Sequence, residues 1–313
     1  MPPPIYSLTL LAAAGALFAL PGAASAAVGE VSLSGSTWTG KVDGVTKYTG
    51  NNMSAAGNAC VAAMSSGTLR IYNGGNTGGT INLKSNVSAD GWGNTLTGVS
   101  GSANGVIRAR NSSNTGAKNV KCAGGQWFGV YFQTSNGQNF SGISGGAGIL
   151  MRIDNCAGGP GYNFSAGSPN CTSSTGHGVE TYGITTTSFG TITAVDRTGG
   201  CGIMFNPSQG ATGSTINGTR CNYSGGYAAL RAGTSSGLTI STVNATSCGR
   251  GIFTLVNASN IAVGNLAANG CRDIGVWLES STNTRVQGGY VAGGRCYAIT
   301  GNSSGSYVNV ACR

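Results

Sequence analysis

The chain has 313 residues, of which 56 are glycine and only 8% are charged, with eight acids against seventeen Lys and Arg. Long helices are excluded, because Gly costs about 1 kcal/mol per helical position relative to Ala. Disorder is excluded by the 40% hydrophobic content at low charge density. A chain of many short strands and turns remains, an all-β protein, and its +9 charge reflects scarce acids more than abundant bases.

Residues 1–26 read as a signal peptide. Leu8 to Leu20 is an apolar run, too short to cross a bilayer, that Pro21 and Gly22 break. Ala24-Ser25-Ala26 then fits the small-x-small rule for cleavage. The expectation is a secreted, extracellular, monomeric protein with no membrane span. Ten cysteines downstream fit an oxidising compartment and permit five disulfides. Eleven N-x-[ST] sequons, from Asn52 to Asn302, would accept glycans in a suitable host. With one histidine and no CxxC, no metal site and no cofactor are expected.

Residues 27–100 form the N-terminal part of one continuous domain. Within it, Ser54 to Met64 is an Ala-rich helical patch, with Met53, Ala56, Cys60 and Met64 near one face. It is expected to cap an open end, since a bare end exposes apolar core and strand edges.

Residues 101–313 repeat. A small residue followed by an aliphatic starts a short strand at 104, 128, 147, 177, 201, 227, 250, 274 and 297. Successive starts are 24, 19, 30, 24, 26, 23, 24 and 23 residues apart. A unit of that length, with two or three short strands per turn, is a coil of a single-stranded right-handed parallel β-helix of nine or more coils. The inward column is expected to be Val106, Val130, Ile149, Val179, Ile203, Ala229, Ile252, Val276 and Ile299. The next, outward column then reads Ile107, Tyr131, Leu150, Glu180, Met204, Leu230, Phe253, Trp277 and Thr300. This apolar, partly aromatic stripe is expected either to lie under a loop or, through Phe253 and Trp277, to serve as a platform for sugar rings. The long step from Ala147 to His177 is an insertion that Cys156 and Cys171 would staple.

The scarce ionisable groups gather in the coils that follow the insertion. His177, the only histidine, shares a strand with Glu180 and Tyr182. Asp196 and Arg197 close that turn, and Tyr227, Arg231 and Arg250 follow in the next coils. Singly, each has an ordinary role: His177 fills a bend, Glu180 pairs with Arg152 or Arg197, and Asp196 caps a turn. Together they form a cleft with a base, carboxylates, a phenol and guanidiniums. A carboxyl between Leu150 and Met204 would have the apolar surroundings that make a general acid. Elimination on a uronate needs a base, His177, Tyr182 or Tyr227, and a cation that neutralises the carboxylate, Arg231 or Arg250. Hydrolysis needs paired carboxyls, Glu180 with Asp196 or Asp154. Arg197, Tyr227, Arg250, Phe253 and Trp277 are the expected substrate-binding residues.

From the cap to the C-terminus, and most closely in His177-Gly-Val-Glu-Thr-Tyr-Gly, Tyr227-Ala-Ala-Leu-Arg and Arg250-Gly-Ile-Phe, the sequence resembles the pectate-lyase-like superfamily of secreted parallel β-helices. That resemblance implies activity on carbohydrate, commonly pectin-type uronates. The clustered aspartates of calcium-dependent pectate lyases are missing. Of the polygalacturonase motifs only Gly176-His177-Gly178 matches. The expectation is therefore a metal-independent polysaccharide lyase whose partner is an acidic polysaccharide. A β-helix glycoside hydrolase is the runner-up, and a carbohydrate-binding or cell-wall protein follows. Nucleic acid is not expected, since no basic stripe with interleaved aromatics occurs.

Overall fold

A computed structural model describes residues 26–157, 167, 169–171, 175–223 and 226–313. The leader segment and most of the insertion, including Gly158-Gly-Pro-Gly and Ser168, lie outside the described residues. The chain opens with an antiparallel meander, Ala27–Ser34, Thr37–Val42 and Val45–Gly50. Helix α1 (Met53–Ala63) follows, started by Asn52, whose side chain accepts from the Ala55 N–H at 2.9 Å. Met53, Ala56, Cys60 and Met64 are at most 1% exposed, so the helix covers the end of the solenoid as expected.

Beyond α1 the chain winds as a parallel β-helix. One face is a ten-stranded parallel sheet: β1 (Ile81–Leu83), β2 (Ile107–Arg110), β3 (Phe128–Gln133), β4 (Ile149–Asp154), β5 (Val179–Tyr182), β6 (Ile203–Asn206), β7 (Ala228–Gly233), β8 (Arg250–Leu255), β9 (Ile274–Glu279) and β10 (Arg295–Thr300). Each strand pairs only with the same strand of the coil before and after it. A thirteen-stranded and a seven-stranded sheet form the remaining faces.

Register fixes the inward column as Ile81, Ile107, Val130, Met151, Val179, Ile203, Leu230, Ile252 and Val276. All of these are fully buried, and each aliphatic side chain so buried contributes about 1.5–3 kcal/mol. Five of the expected members stand, while Val106, Ile149, Ala229 and Ile299 are displaced by one or two residues. The cause is the bend. At Gly178 an added Cβ would lie 3.0 Å from Cys171 Sγ and 3.2 Å from Ala194 Cβ. The glycine therefore faces the core, as does Val179 after it, and simple alternation is interrupted there. Val106, Leu150 and Ala229 occupy this glycine position in their own coils and are fully buried.

A corner that recurs coil after coil is occupied mainly by Gly and Asn. Asn114, Gly137, Gly210, Gly237, Asn260, Asn283 and Gly305 all have φ between 49° and 69°, the left-handed region those residues tolerate best.

The disulfide expectation is corrected. Cys296–Cys312 is formed, whereas the eight other cysteines are buried free thiols. Cys171 belongs to an interior column in which Gly145 separates it from Cys122. Cys156 sits at the corner after β4, its thiol donating to Asp154 O at 3.4 Å. The two do not staple the insertion; they fill core positions as small apolar groups.

Candidate functional site

The outer face of the ten-stranded sheet carries the chemistry. Its central column reads Arg108, Tyr131, Arg152, Glu180, Met204, Arg231, Phe253 and Trp277. Neighbours in it stand about 4.8 Å apart. Glu180 thus lies beside Arg152, a cation, where Leu150 was expected, and Arg231 takes the place expected for Leu230.

Around β4 and β5 the charges are mutually satisfied. Arg152 reaches Asp154 Oδ1 through Nε and Glu180 Oε2 through Nη1, each at 2.5 Å. Tyr131 donates its hydroxyl to Asp154 Oδ2 at 2.9 Å, and Asn206 Nδ2 donates to Glu180 Oε1 at 3.2 Å. Burial would lower the Arg152 pKa, yet the two carboxylates more than offset it and hold it up. Burial, and then the Asp154 charge, push the Tyr131 phenol up to about 12. Next to this network an open cavity of about 370 Å³ is lined by Trp127, Phe128, Tyr131, Arg152 and Asp154. Trp127 is 60% exposed at its rim. Arg152, Tyr131, Asn206 and Trp127 had no place among the expected site residues. Alternate positions of Met151-Arg-Ile-Asp, aligned on Val179-Glu-Thr-Tyr, would have revealed Arg152 and Asp154.

Two coils further on the balance changes. Among the described residues Arg231 has no carboxylate partner. Its Nη1 points to Met204 Sδ at 2.9 Å, its Nε is buried without a hydrogen bond, and Tyr227 lies 5.5 Å away. An unpaired buried guanidinium N–H is costly, so its retention needs a reason. Beside it stands His177, 9% exposed, edge-on to Tyr227 with ring centroids 5.4 Å apart. Cys201 N–H donates to His177 Nδ1 at 2.8 Å, which puts the proton of the neutral ring on Nε2. Burial, with the charges of Arg197, Arg231 and Arg152, lowers its pKa to about 4. At neutral pH His177 is therefore a hydrogen-bond donor at Nε2, and that nitrogen meets no acceptor among the described residues.

The other expected residues are dispersed. Arg197 is fully buried and donates to the carbonyls of Ala147, Gly148, Gly176 and His177. It clamps the backbone leading into β4 and β5 from within, instead of facing a substrate. Asp196 follows the strand Ser188–Val195 of the thirteen-stranded sheet and binds Arg220, so it does not join Glu180. Tyr182 ends β5, 46% exposed, in register with Asp154 and Asn206. Arg250 pairs with Asp273 at 2.8 Å and lies over Phe253 at 4.2 Å and Trp277 at 4.5 Å. Its guanidinium thus covers a stacking face expected to be open, and Phe253 is only 6% exposed. Among the described residues, no group of three or more His, Cys, Asp or Glu side chains is gathered as a metal site.

No protein-family model and no curated protein sequence matches the chain. Among solved structures it is similar to the A-module of the mannuronan C-5 epimerase AlgE6 of Azotobacter vinelandii, with a TM-score of 0.48 and 14% identity over 84% of this chain and 92% of that one. It is also similar to the enzymatically active domain of tailspike protein 2 of bacteriophage CBA120, with a TM-score of 0.50 and 14% identity over 83% of this chain. The match spans 44% of the tailspike structure. At this identity the likeness is one of fold, the parallel β-helix that the sequence resemblance implied.

Proposed function

We propose that this protein is a secreted enzyme that cleaves a uronate-containing polysaccharide by β-elimination without a metal ion. The observation that carries the reading is Arg231, a guanidinium with a buried, unpaired Nε at the centre of the outer sheet. A uronate carboxylate would pair with this guanidinium, which no carboxylate among the described ion pairs engages, and, once neutralised, would acidify the adjacent C5–H. His177 Nε2–H donates a second hydrogen bond to the same carboxylate, as a neutral donor fixed by the Cys201 N–H. Tyr227, against both groups, supplies the oxygen that takes the C5 proton. As it does so its own O–H proton passes to the leaving glycosidic oxygen, the C5–H electron pair forms the C4=C5 bond, and the C4–O bond breaks. Of the bases expected from sequence, His177 is thus reassigned to hydrogen-bond donation.

The two similar structures are of a mannuronan C-5 epimerase and an enzymatically active tailspike domain. The argument itself rests on the site chemistry.

A hydrolytic reading has its own observation. Asp154 and Glu180 are bridged by one guanidinium, so the bridged oxygens lie within about 7 Å, inside the range of paired-carboxylate glycosidases. Both carboxyls are engaged by that one guanidinium, which leaves neither free to serve as the general acid.

Site variants separate these readings on uronate polymers. Tyr227→Phe and His177→Gln each lower turnover at least 100-fold under elimination and leave hydrolysis intact. Loss of reducing-end release with Glu180→Gln, while Tyr227→Phe stays fully active, would overturn the proposal in favour of hydrolysis. Binding without turnover would make the protein a carbohydrate-binding one.

A further inference from the structure

A second aromatic feature stands at another corner of the solenoid, off the ten-stranded sheet. Trp92 is 55% exposed and has φ of 54°, a left-handed conformation that costs a bulky residue about 1–2 kcal/mol. The turn is built to hold it there. Asp90 Oδ1 accepts from the Trp92 N–H at 3.0 Å and from Asn119 Nδ2 at 3.1 Å. Gly91 N–H donates to Lys118 O at 2.8 Å, and Gly93 N–H to Asn119 O at 2.9 Å. The indole is braced by the edge of Tyr72 at 5.3 Å and by the Arg70 guanidinium at 5.7 Å. Tyr72 is itself tied to Glu30 Oε1 at 3.1 Å. A large ring is thus rigidly presented to water.

Beside it an open cavity of about 470 Å³ is lined by Asp90, Trp92, Asn119, Lys121 and Ser144. These residues come from three successive coils. Lys118 pairs with Asp90 at 3.3 Å, whereas Lys121 has no carboxylate partner among the described ion pairs. Through Lys118 the site adjoins a smaller trough of about 230 Å³ on the seven-stranded sheet. Its floor holds Thr68, Ser88, Gly116 and Asn139, which stand in register across four coils, spaced about 4.8 Å apart. That spacing is close to one sugar unit of an extended chain.

We propose that this corner is a second saccharide-binding site, distinct from the site at Arg231, that holds an extended polymer. Trp92 takes the face of one pyranose ring and Lys121 an anionic substituent on it. The hydroxyls of Thr68 and Ser88 and the amide of Asn139 bond to the following units. An aromatic face ringed by amide and hydroxyl groups suits a sugar. A nucleic acid would require several unpaired cations along its track, and a peptide strand would require an open sheet edge. The acidic character of the polymer rests on the elimination reading above, but the site does not.

The test is affinity electrophoresis of the full chain in gels containing polygalacturonate, alginate or a neutral glucan, alongside turnover on a short uronate oligosaccharide. Trp92→Ala is expected to weaken retention at least tenfold with turnover on the short substrate unchanged. Lys121→Gln is expected to weaken retention only in the uronate gels. Unchanged retention of both variants, or no retention of the wild-type chain by any polymer, overturns the proposal. Retention that depends on Trp92 in a protein without turnover would support this site while overturning the elimination reading. Because Trp92 and Lys121 are both exposed, the two variants guard against a folding defect in either.

Discussion

Arg152 and Arg231 occupy the same outward column of the same sheet, with Glu180 and Met204 between them in register, yet they have opposite surroundings. Arg152 is saturated by two carboxylates. Arg231 faces a thioether and aromatic rings and keeps a buried N–H unmet. The first arrangement completes itself and holds two coils together. The second is completed only by an anion from outside. Identity of side chain and of column thus says little about role; the residues one coil away decide it.

Removing each cation tests that contrast. Arg152→Gln leaves Asp154 and Glu180 buried without their cation, and should lower unfolding stability by about 3–5 kcal/mol in chemical denaturation. Arg231→Met should do the reverse to stability, leaving it equal or slightly raised because an unmet donor disappears. Its kcat/KM on uronate polymer should fall about 100- to 1,000-fold, the usual effect of losing one charge-stabilising donor. Equal behaviour of the two variants in both assays would abolish the distinction.

The pH dependence of stability sharpens it. His177 has its folded pKa lowered to about 4 by burial and by the neighbouring cations, against about 6.5 unfolded. Between these values the unfolded chain binds a proton that the folded chain refuses. Its contribution is therefore complete above pH 6.5 and is lost as pH falls towards 4, on the order of 3 kcal/mol. His177→Gln should flatten that part of the stability profile. Turnover should show no inflection near pH 6.5 from this ring, because it is already neutral there.

The smallest effect is expected at the rim of the Arg152 cavity. Trp127→Ala should raise KM about fivefold, near 1 kcal/mol of lost ring contact, with kcat and melting temperature unchanged. A fall in kcat instead would place Trp127 at the reacting centre.

Much of the fold was legible because it repeats. Coil length, the capping helix and the stacked aliphatics of Val130, Val179, Ile203, Ile252 and Val276 are all carried by local pattern. The site was less legible, for a specific physical reason. At each bend the residue before the inward aliphatic also faces the core, so Tyr227-Ala-Ala-Leu-Arg reads equally well with Ala229 or Leu230 inward. A shift of one residue exchanges the two faces of a strand, and here it hid Arg231 from the outward column, while a shift of two put Leu150 where Arg152 stands. Partnering was beyond reach for a second reason. Arg197 and Asp196 are adjacent in sequence, yet one clamps carbonyls inside the solenoid while the other binds Arg220 near its surface. Nothing in local composition separates those fates. The cysteines likewise read as disulfides by count, while register sets Cys122 and Cys171 against Gly145 and Ala194.

The most direct measurement follows ultraviolet absorbance and reducing ends together while the wild-type chain and Arg231→Met act on polygalacturonate and alginate, with and without a chelator. Absorbance from an unsaturated uronate, unaffected by the chelator and abolished in Arg231→Met, is the predicted result. Reducing ends without absorbance, or absorbance that persists undiminished in Arg231→Met, would contradict the assignment of Arg231 as the group that neutralises the substrate carboxylate.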